Sequence, residues 1–267
     1  MQLRLRLLCA LPVVGLLAGC GATAEQVARS QSLRGTHFTG YESAREQPAP
    51  TTSRCRGVIR RVGSSQVSVV AVVRGRARAY LHPGRRVLAD FGRLNQNGFP
   101  NVFRVLASVR SRDCRTAWYH VQLPLRPNGI TGYVPARAVE IGRVRTRIAV
   151  DLSSRRLTLF RDGERTLRVP VAVGSPASPT PTGRYYINQK LIARNPSGPY
   201  GPGALGISAF SPVLTGWAQG GPVAIHGTNE PWSIGRAASH GCVRVRNSVL
   251  RRLFAATPAG TPVVIER

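Results

Sequence analysis

Apolar and polar residues alternate along much of the chain after residue 54, and this pattern favours strands over helices. Residues 65–73 read SQVSVVAVV and residues 102–110 read VFRVLASVR, and both segments combine a period of two with β-branched side chains. The alternation returns at Ile148, Val150 and Leu152. The sequence therefore predicts a mainly β fold.

One short helix is predicted near the carboxyl end. Asn247 is expected to cap a helix over residues 248–256, and residues 261–265 then return as a strand. Residues 195–206 are so rich in Gly and Pro that they predict an irregular loop.

The amino terminus has the parts of an export signal. Arg4 and Arg6 precede a short apolar run, and the small residues Ala18 and Gly19 stand directly before Cys20. The run is too short for a permanent membrane span. The segment resembles the bacterial lipobox, which implies a signal peptide over residues 1–19 and a lipid on Cys20. The alternative is an ordinary cleaved signal followed by an incidental cysteine. Residues 20–53 have the composition of a flexible tether.

The charge of the chain is strongly positive. Lysine and arginine number 38 against 11 acidic residues, which gives +27, and Lys190 is the only lysine. A GC-rich coding sequence is one explanation of this arginine bias. A positive surface attracts polyanions whatever its origin. Because the chain carries an export signal and no nucleic-acid-binding motif, we expect anionic wall polymers or a membrane surface as partners, and no nucleic acid.

The five cysteines divide by position. Cys9 leaves with the signal and Cys20 takes the lipid, so Cys55 and Cys114 are available for a disulfide in an oxidising compartment. Cys242 then has no partner, and a free thiol outside the cytoplasm suggests a functional role. Pairing of Cys242 with Cys55 or Cys114 is the alternative that the sequence leaves open.

Residues 226–247, HGTNEPWSIGRAASHGCVRVRN, concentrate candidate chemistry around that thiol. A thiol attacks carbonyls as the thiolate, so it needs a base or a cation beside it. His226 and His240 lie on either side of a turn-rich loop, and either is able to fold back onto Cys242. The alternative is a buried structural cysteine with two packed histidines.

This segment resembles the catalytic signature of the L,D-transpeptidases, the YkuD family of peptidoglycan cross-linking enzymes. A His-Gly at 226–227, a spacer, and SHGCVR at 239–244 match that signature without a gap, and PTPTG at 179–183 resembles a turn of the family. The resemblance covers roughly residues 146–267. It implies a YkuD-type β-sandwich with a short helix as catalytic domain, assigned to residues 145–267.

The resemblance also implies roles for the central residues. Cys242 is the nucleophile and forms a thioester with a peptidoglycan stem peptide, and His226 is the general base. Several family members have Ser after that histidine, where this chain has Gly227, whose carbonyl is still able to orient the imidazole. Backbone N–H groups of Gly241 and Cys242 are the candidate oxyanion donors.

Five further residues have candidate supporting roles. Ser239 is expected to fix the turn, and His240 to support the loop and the thiolate. Arg244 is a candidate to bind a substrate carboxylate, with a solvated arginine as the alternative. Tyr200 and Trp217 are candidate groove-wall residues, with plain core aromatics as the alternative. We predict no metal and no cofactor.

The segment before this domain resembles a different small fold. WYHVQLPLRPNGITGYVPARAVEI at residues 118–141 is similar to the closing half of a bacterial SH3-like barrel, so residues 54–142 are assigned to an SH3-like domain. Its expected role is either peptide or glycan binding, or packing with no ligand of its own.

The resulting expectation is an exported, monomeric L,D-transpeptidase that forms 3→3 cross-links. It would be lipid-anchored to the outer face of the cytoplasmic membrane, or reside in the periplasm or cell wall. Three rivals differ in chemistry. They are an L,D-carboxypeptidase or wall-protein hydrolase with the same site, a papain-like peptidase, and a non-catalytic wall-binding lipoprotein. The order of the residues, histidine before cysteine, disfavours the papain-like alternative.

Overall fold

A computed structural model describes Cys55 and residues 57–267 of the chain. The predicted signal peptide (1–19), the lipidation site Cys20 and the tether (20–53) lie outside the described residues. About half of the described residues are in strands and only ten are in an α-helix, so the prediction of a mainly β protein is confirmed.

The first half of the described chain forms one sheet of eight strands. Its strand order is β4-β3-β7-β6-β5-β2-β8, and β1 pairs with β5 off this path. The strands are β1 (Ile59–Arg61), β2 (Ser68–Val73), β3 (Arg76–His82), β4 (Arg85–Gly92), β5 (Val102–Arg110), β6 (Thr116–Gln122), β7 (Thr131–Pro135) and β8 (Val139–Val144).

The alternation along these strands places one side chain in two in a common core. In β3, for example, Ala77 and Ala79 are buried while Arg76 and Arg78 face solvent. A disulfide joins Cys55 to Cys114 and ties the segment before β1 to the β5–β6 connection. The SH3-like assignment of this part of the chain stays a prediction.

The second half forms another eight-stranded sheet, of order β11-β10-β9-β18-β13-β14-β15-β17, beside a two-stranded β12-β16 pair. The strands are β9 (Thr146–Asp151), β10 (Arg156–Arg161), β11 (Glu164–Pro170), β12 (Val173–Gly174), β13 (Gly183–Ile192), β14 (Gly203–Phe210), β15 (Pro222–His226), β16 (Ala237–Ser239), β17 (Val243–Arg244) and β18 (Pro262–Glu266). The predicted domain boundary stays a prediction, although the first sheet ends at Val144 and the second begins at Thr146.

Helix α1 (Asn247–Ala256) packs Leu250 and Leu253 into the core of the second sheet. The predicted N-cap is wrong, because the helix begins at Asn247 and the Asn247 side chain caps nothing. Its Oδ1 instead accepts the N–H of Thr228 at 2.8 Å. Among the described residues, no helix has the length and apolar character needed to cross a membrane.

The two sheets share a buried contact. The hydroxyl of Tyr186, which is fully buried on β13, donates to the carbonyl oxygens of Val102 (3.1 Å) and Gln122 (3.3 Å) in the first sheet. The Gln122 side chain returns a hydrogen bond to the carbonyl of Arg184 at 2.6 Å. A buried polar group needs such partners, so these bonds fix the register between the two halves.

Candidate active site

The two residues expected to do the chemistry lie at two neighbouring strands. Strands β15 and β17 are parallel neighbours, and His226 pairs with Arg244 in their register. Ile225 and Val243 are fully buried in the core below, so His226 and Arg244 lie on the opposite face of the sheet. Cys242 lies in the bend directly before β17, beside Ala224, which is two residues before His226 on β15.

The imidazole of His226 is buried and held by its own loop. Its Nδ1 lies 2.5 Å from the Gly227 carbonyl oxygen. A carbonyl accepts only, so Nδ1 carries the proton and Nε2 keeps a free lone pair. Burial lowers the pKa of His226 from 6.5 to about 4. The positive charge of Arg244 also lowers this pKa, whereas the hydrogen bond to Gly227 raises it. At neutral pH the ring is therefore an uncharged base.

The thiol of Cys242 is free and partly buried. It accepts the N–H of Ala224 at 3.4 Å. Burial raises the pKa of the Cys242 thiol, while the Ala224 N–H and the charge of Arg244 oppose that rise. The resting site thus holds a neutral thiol beside a neutral imidazole, so proton transfer must accompany nucleophilic attack.

Within the described residues, the Cys242 and His226 side chains share no hydrogen bond. The ring of Tyr200 lies 4.9 Å from that of His226, edge to face. Burial raises the pKa of the Tyr200 hydroxyl, and the charge of a Cys242 thiolate raises it further. Tyr200 therefore belongs to the wall around both groups. Catalytic hydrogen bonds are often long before substrate binds, so the lack of a hydrogen bond between the Cys242 and His226 side chains is compatible with base catalysis by His226.

Glycine at position 227 has a packing reason. A Cβ built there would lie 2.3 Å from Oδ1 of Asn247 and 2.9 Å from Pro202. Asn247 fills this space because its Oδ1 bonds the Thr228 N–H. A serine, which the resemblance gives for several family members at this position, has no room here. Asn247 is thus a supporting residue of the histidine loop, a role that its prediction as a helix cap did not reveal.

The turn before the nucleophile is fixed by Ser239. Its hydroxyl donates to the Cys242 carbonyl oxygen at 2.5 Å and accepts the Gly241 N–H at 3.2 Å. Gly241 has a φ of +108°, which favours glycine. The Gly241 N–H is therefore engaged in this structure. The Cys242 N–H has no acceptor within the described part of the chain, so of the two candidate oxyanion donors it is the free one.

Arg244 is already paired. Its guanidinium forms a salt bridge with Glu230, and its Nε is buried without a hydrogen-bond partner. The sequence analysis gave Arg244 a substrate carboxylate as partner and did not predict the ion pair with Glu230. Because Glu230 is the one acidic residue in residues 226–247, its charge was the sequence signal for this ion pair.

His240 and Trp217 lie at the surface beside the site. Their rings are 5.9 Å apart, and both residues are exposed. His240 lies beside the Trp217 side chain, and among the described residues it forms no hydrogen bond with the Cys242 thiol. We call residues 211–221, which carry Trp217, the Trp217 loop.

The connection between β6 and β7 holds the base of the Trp217 loop. Arg126 donates from Nη2 to the carbonyl oxygens of Ser211 (2.8 Å) and Gly220 (2.6 Å). Asn128 exchanges two hydrogen bonds of 2.8 Å with the backbone of Phe210. The loop beside the candidate site is thus fixed from outside its own sheet.

The part of the chain that holds this site is similar to known proteins. Residues 145–265 match the family model of the L,D-transpeptidase catalytic domain, YkuD. The YkuD protein of Bacillus subtilis (strain 168), named as an L,D-transpeptidase, is 38% identical over 120 residues, covering 45% of this chain and 65% of the relative. The ErfK/SrfK protein of Salmonella typhimurium (strain LT2), also so named, is 31% identical over 169 residues, covering 54% of this chain and 52% of the relative.

The similarity supports a YkuD-type L,D-transpeptidase catalytic domain in this part of the chain. The chain spans between about half and two thirds of the length of these relatives. Among solved structures, the catalytic domain of an Enterococcus faecium L,D-transpeptidase is 25% identical, covering 45% of this chain and 96% of that chain, with a TM-score of 0.33. A TM-score this low supports no further conclusion.

Proposed function

We propose that this protein is a peptidoglycan L,D-transpeptidase that forms 3→3 cross-links through a thioester on Cys242. The observation that carries the proposal is the position of the Cys242 thiol, which accepts the N–H of Ala224 on β15, the strand that ends at His226. The Gly227 carbonyl holds the ring so that Nε2 is the free base. The relatives named as L,D-transpeptidases support the reaction class.

In the first half-reaction, Nε2 of His226 takes the thiol proton as Cys242 attacks the carbonyl carbon of the L-centred residue at stem position three. The Cys242 N–H is placed to stabilise the oxyanion. The C–N bond to the terminal D-Ala then breaks. The imidazolium returns its proton to the leaving amine, which departs as D-Ala and leaves the thioester.

In the second half-reaction, the side-chain amine of a neighbouring stem attacks the thioester. His226 accepts a proton from that amine, the C–S bond breaks, and the thiolate recovers the proton. The products are a 3→3 cross-link and the starting enzyme. If water replaces the amine, the same steps give an L,D-carboxypeptidase. The groove that admits one acceptor and excludes the other decides between these outcomes.

Incubation with a purified disaccharide-tetrapeptide, followed by mass spectrometry of the products, tests the proposal. Cross-linked dimers indicate transfer, and tripeptide alone indicates hydrolysis. Cys242→Ala should give neither product while remaining folded. His226→Asn should slow the reaction by about 100-fold or more, the usual contribution of a general base. Activity retained in the Cys242 variant contradicts the mechanism.

The setting of this reaction is also a proposal. The lipobox-like segment before Cys20 and the +27 charge support an exported protein anchored at the cell envelope. Metabolic labelling with a fatty-acid analogue, compared between wild type and Cys20→Ala, tests the anchor. Label on both proteins, or on neither, contradicts lipidation at Cys20.

A further inference from the structure

A small cavity lies in the seam between the two sheets, away from Cys242. Its volume is about 140 Å³. The first half of the chain contributes residues 62–69 and Arg104 of β5, and the second half contributes β9, Arg184 of β13 and β18. A water molecule occupies about 30 Å³ in the liquid, so the cavity has room for more than one water.

The charge in this cavity has one sign. Arg104, Arg147 and Arg184 line it, and no acidic residue does. The Arg147 guanidinium stacks on the Phe160 ring, 4.0 Å from its centroid. The side chains of Arg104 and Arg184 have no hydrogen bond or ion pair with any described residue. Burial lowers the pKa of the Arg104 guanidinium, and the nearby charge of Arg184 lowers it further. Two like charges are thus held close together without a counter-charge.

A hydroxyl in the same lining lacks a partner. The Oγ of Ser68 is buried and makes no hydrogen bond. A buried polar atom without a partner costs roughly 1–3 kcal/mol, and native structures usually satisfy it with water or an ion. Ser64 also lines the cavity. Its Oγ accepts the N–H groups of Gln66 (3.2 Å) and Val67 (3.1 Å), so its own hydroxyl proton remains to be donated.

We propose that this cavity binds a phosphate group between Arg104 and Arg184, with the Ser68 hydroxyl as an additional donor. Guanidinium groups bind phosphate oxygens through paired, charge-assisted hydrogen bonds. One phosphate dianion would offset the positive charge of both arginines and accept a hydrogen bond from the Ser68 hydroxyl. Because Arg104 and Arg184 belong to different sheets, the bound anion also ties the two halves of the protein together. The proposal is independent of the reaction at Cys242.

Thermal unfolding in sodium phosphate, compared with sodium chloride at matched ionic strength, tests this site. A ligand that binds only the folded state raises Tm with its concentration. Phosphate should raise the Tm of wild type. Arg184→Gln, at an exposed position, should weaken the apparent phosphate affinity about tenfold, as expected for one lost charge-assisted contact. Arg104→Gln should do the same.

Arg251→Gln is the matched control, because it removes the same charge from an exposed position on α1. It should respond to phosphate like wild type. Equal responses of all four proteins, or no phosphate response in wild type, would overturn the proposal. In crystals soaked with tungstate, anomalous density should lie between Arg104 and Arg184. Density only at other arginines would also overturn it.

A second ligand distinguishes the source of the phosphate. Glycerophosphoglycerol carries the phosphodiester found in lipid headgroups and wall polymers, whereas inorganic phosphate is a free ion. An Arg184-dependent response to both ligands indicates a headgroup or polymer site. A response to inorganic phosphate alone indicates a site for the free ion.

Discussion

The low pKa of His226 predicts a specific loss of stability in acid. The unfolded chain binds a proton at this residue with a pKa of 6.5, whereas the folded chain does so only at about 4. Between these values the unfolded state binds more protons, so the free energy of unfolding falls as pH falls. The difference of about 2.5 pKa units corresponds to about 3 kcal/mol, present above pH 6.5 and lost by about pH 4.

His226→Asn isolates this contribution. The Asn amide nitrogen takes the approximate place of Nδ1, so it can keep the bond to the Gly227 carbonyl, and it does not titrate. Urea unfolding, followed by tryptophan fluorescence at several values between about pH 7 and about pH 4, gives both free energies. Wild type should lose about 3 kcal/mol more than the variant over this range. The other ionisable groups are common to both proteins and cancel in the comparison.

A stability difference between the two proteins that does not change with pH would refute this reasoning. It would mean that the folded and unfolded chains protonate His226 alike. The imidazole would then be solvated. A difference that changes in the opposite direction would indicate an imidazole paired with an anion, and the site would then rest as an ion pair and not as two neutral groups.

Three other predictions follow from the same geometry. The pKa of the Cys242 thiol lies above its ordinary value of 9.0, so fewer than about 1% of the thiols are ionised at pH 7. Because the thiolate is the reacting form, alkylation by iodoacetamide should accelerate about tenfold per pH unit between pH 6 and pH 8. Gly227→Ala brings a methyl group against Asn247 and should lower the free energy of unfolding by about 1–3 kcal/mol, measured in urea. Arg126→Gln removes two hydrogen bonds from the base of the Trp217 loop and should speed limited proteolysis within that loop, mapped by mass spectrometry.

Matched controls separate these effects from general damage. For alkylation, a plateau of the Cys242 rate below pH 7 would contradict a neutral thiol. Gly75→Ala adds a methyl group where no atom lies within 4 Å, and it should leave stability nearly unchanged. Arg137→Gln removes an exposed arginine from the connection between β7 and β8 and should leave cleavage of the loop at the wild-type rate. A loss of stability in Gly75→Ala equal to that in Gly227→Ala would contradict the packing explanation. Cleavage of Arg137→Gln as fast as that of Arg126→Gln would contradict the role of the Arg126 hydrogen bonds.

Local patterns in the sequence were sufficient for several strands. Alternation with β-branched residues predicted β5 at its observed bounds and marked Ile148 and Val150 of β9, because side-chain period is a local property. The resemblance of HG and SHGC to the family signature indicated His226 and Cys242 as the candidate pair. The parallel pairing of β15 and β17, which brings the segments that carry them side by side, was not evident from the sequence.

Contacts between residues far apart in the chain could not be predicted from the sequence. Arg126 lies 85 positions before Ser211, and no periodicity links the two residues. The pairing of Arg244 with Glu230 and the packing of Asn247 beneath Gly227 likewise depend on how separate segments meet. A motif identifies which residues react. The side chains that hold them depend on tertiary packing, which a single sequence does not specify.

Mass spectrometry of the protein trapped during turnover with the disaccharide-tetrapeptide shows whether Cys242 carries the acyl group. A mass increase equal to the disaccharide-tripeptide acyl group is expected on the peptide that contains Cys242 and on no other. An acyl group on a different residue, or cross-linked product formed by Cys242→Ala, would contradict this role of Cys242.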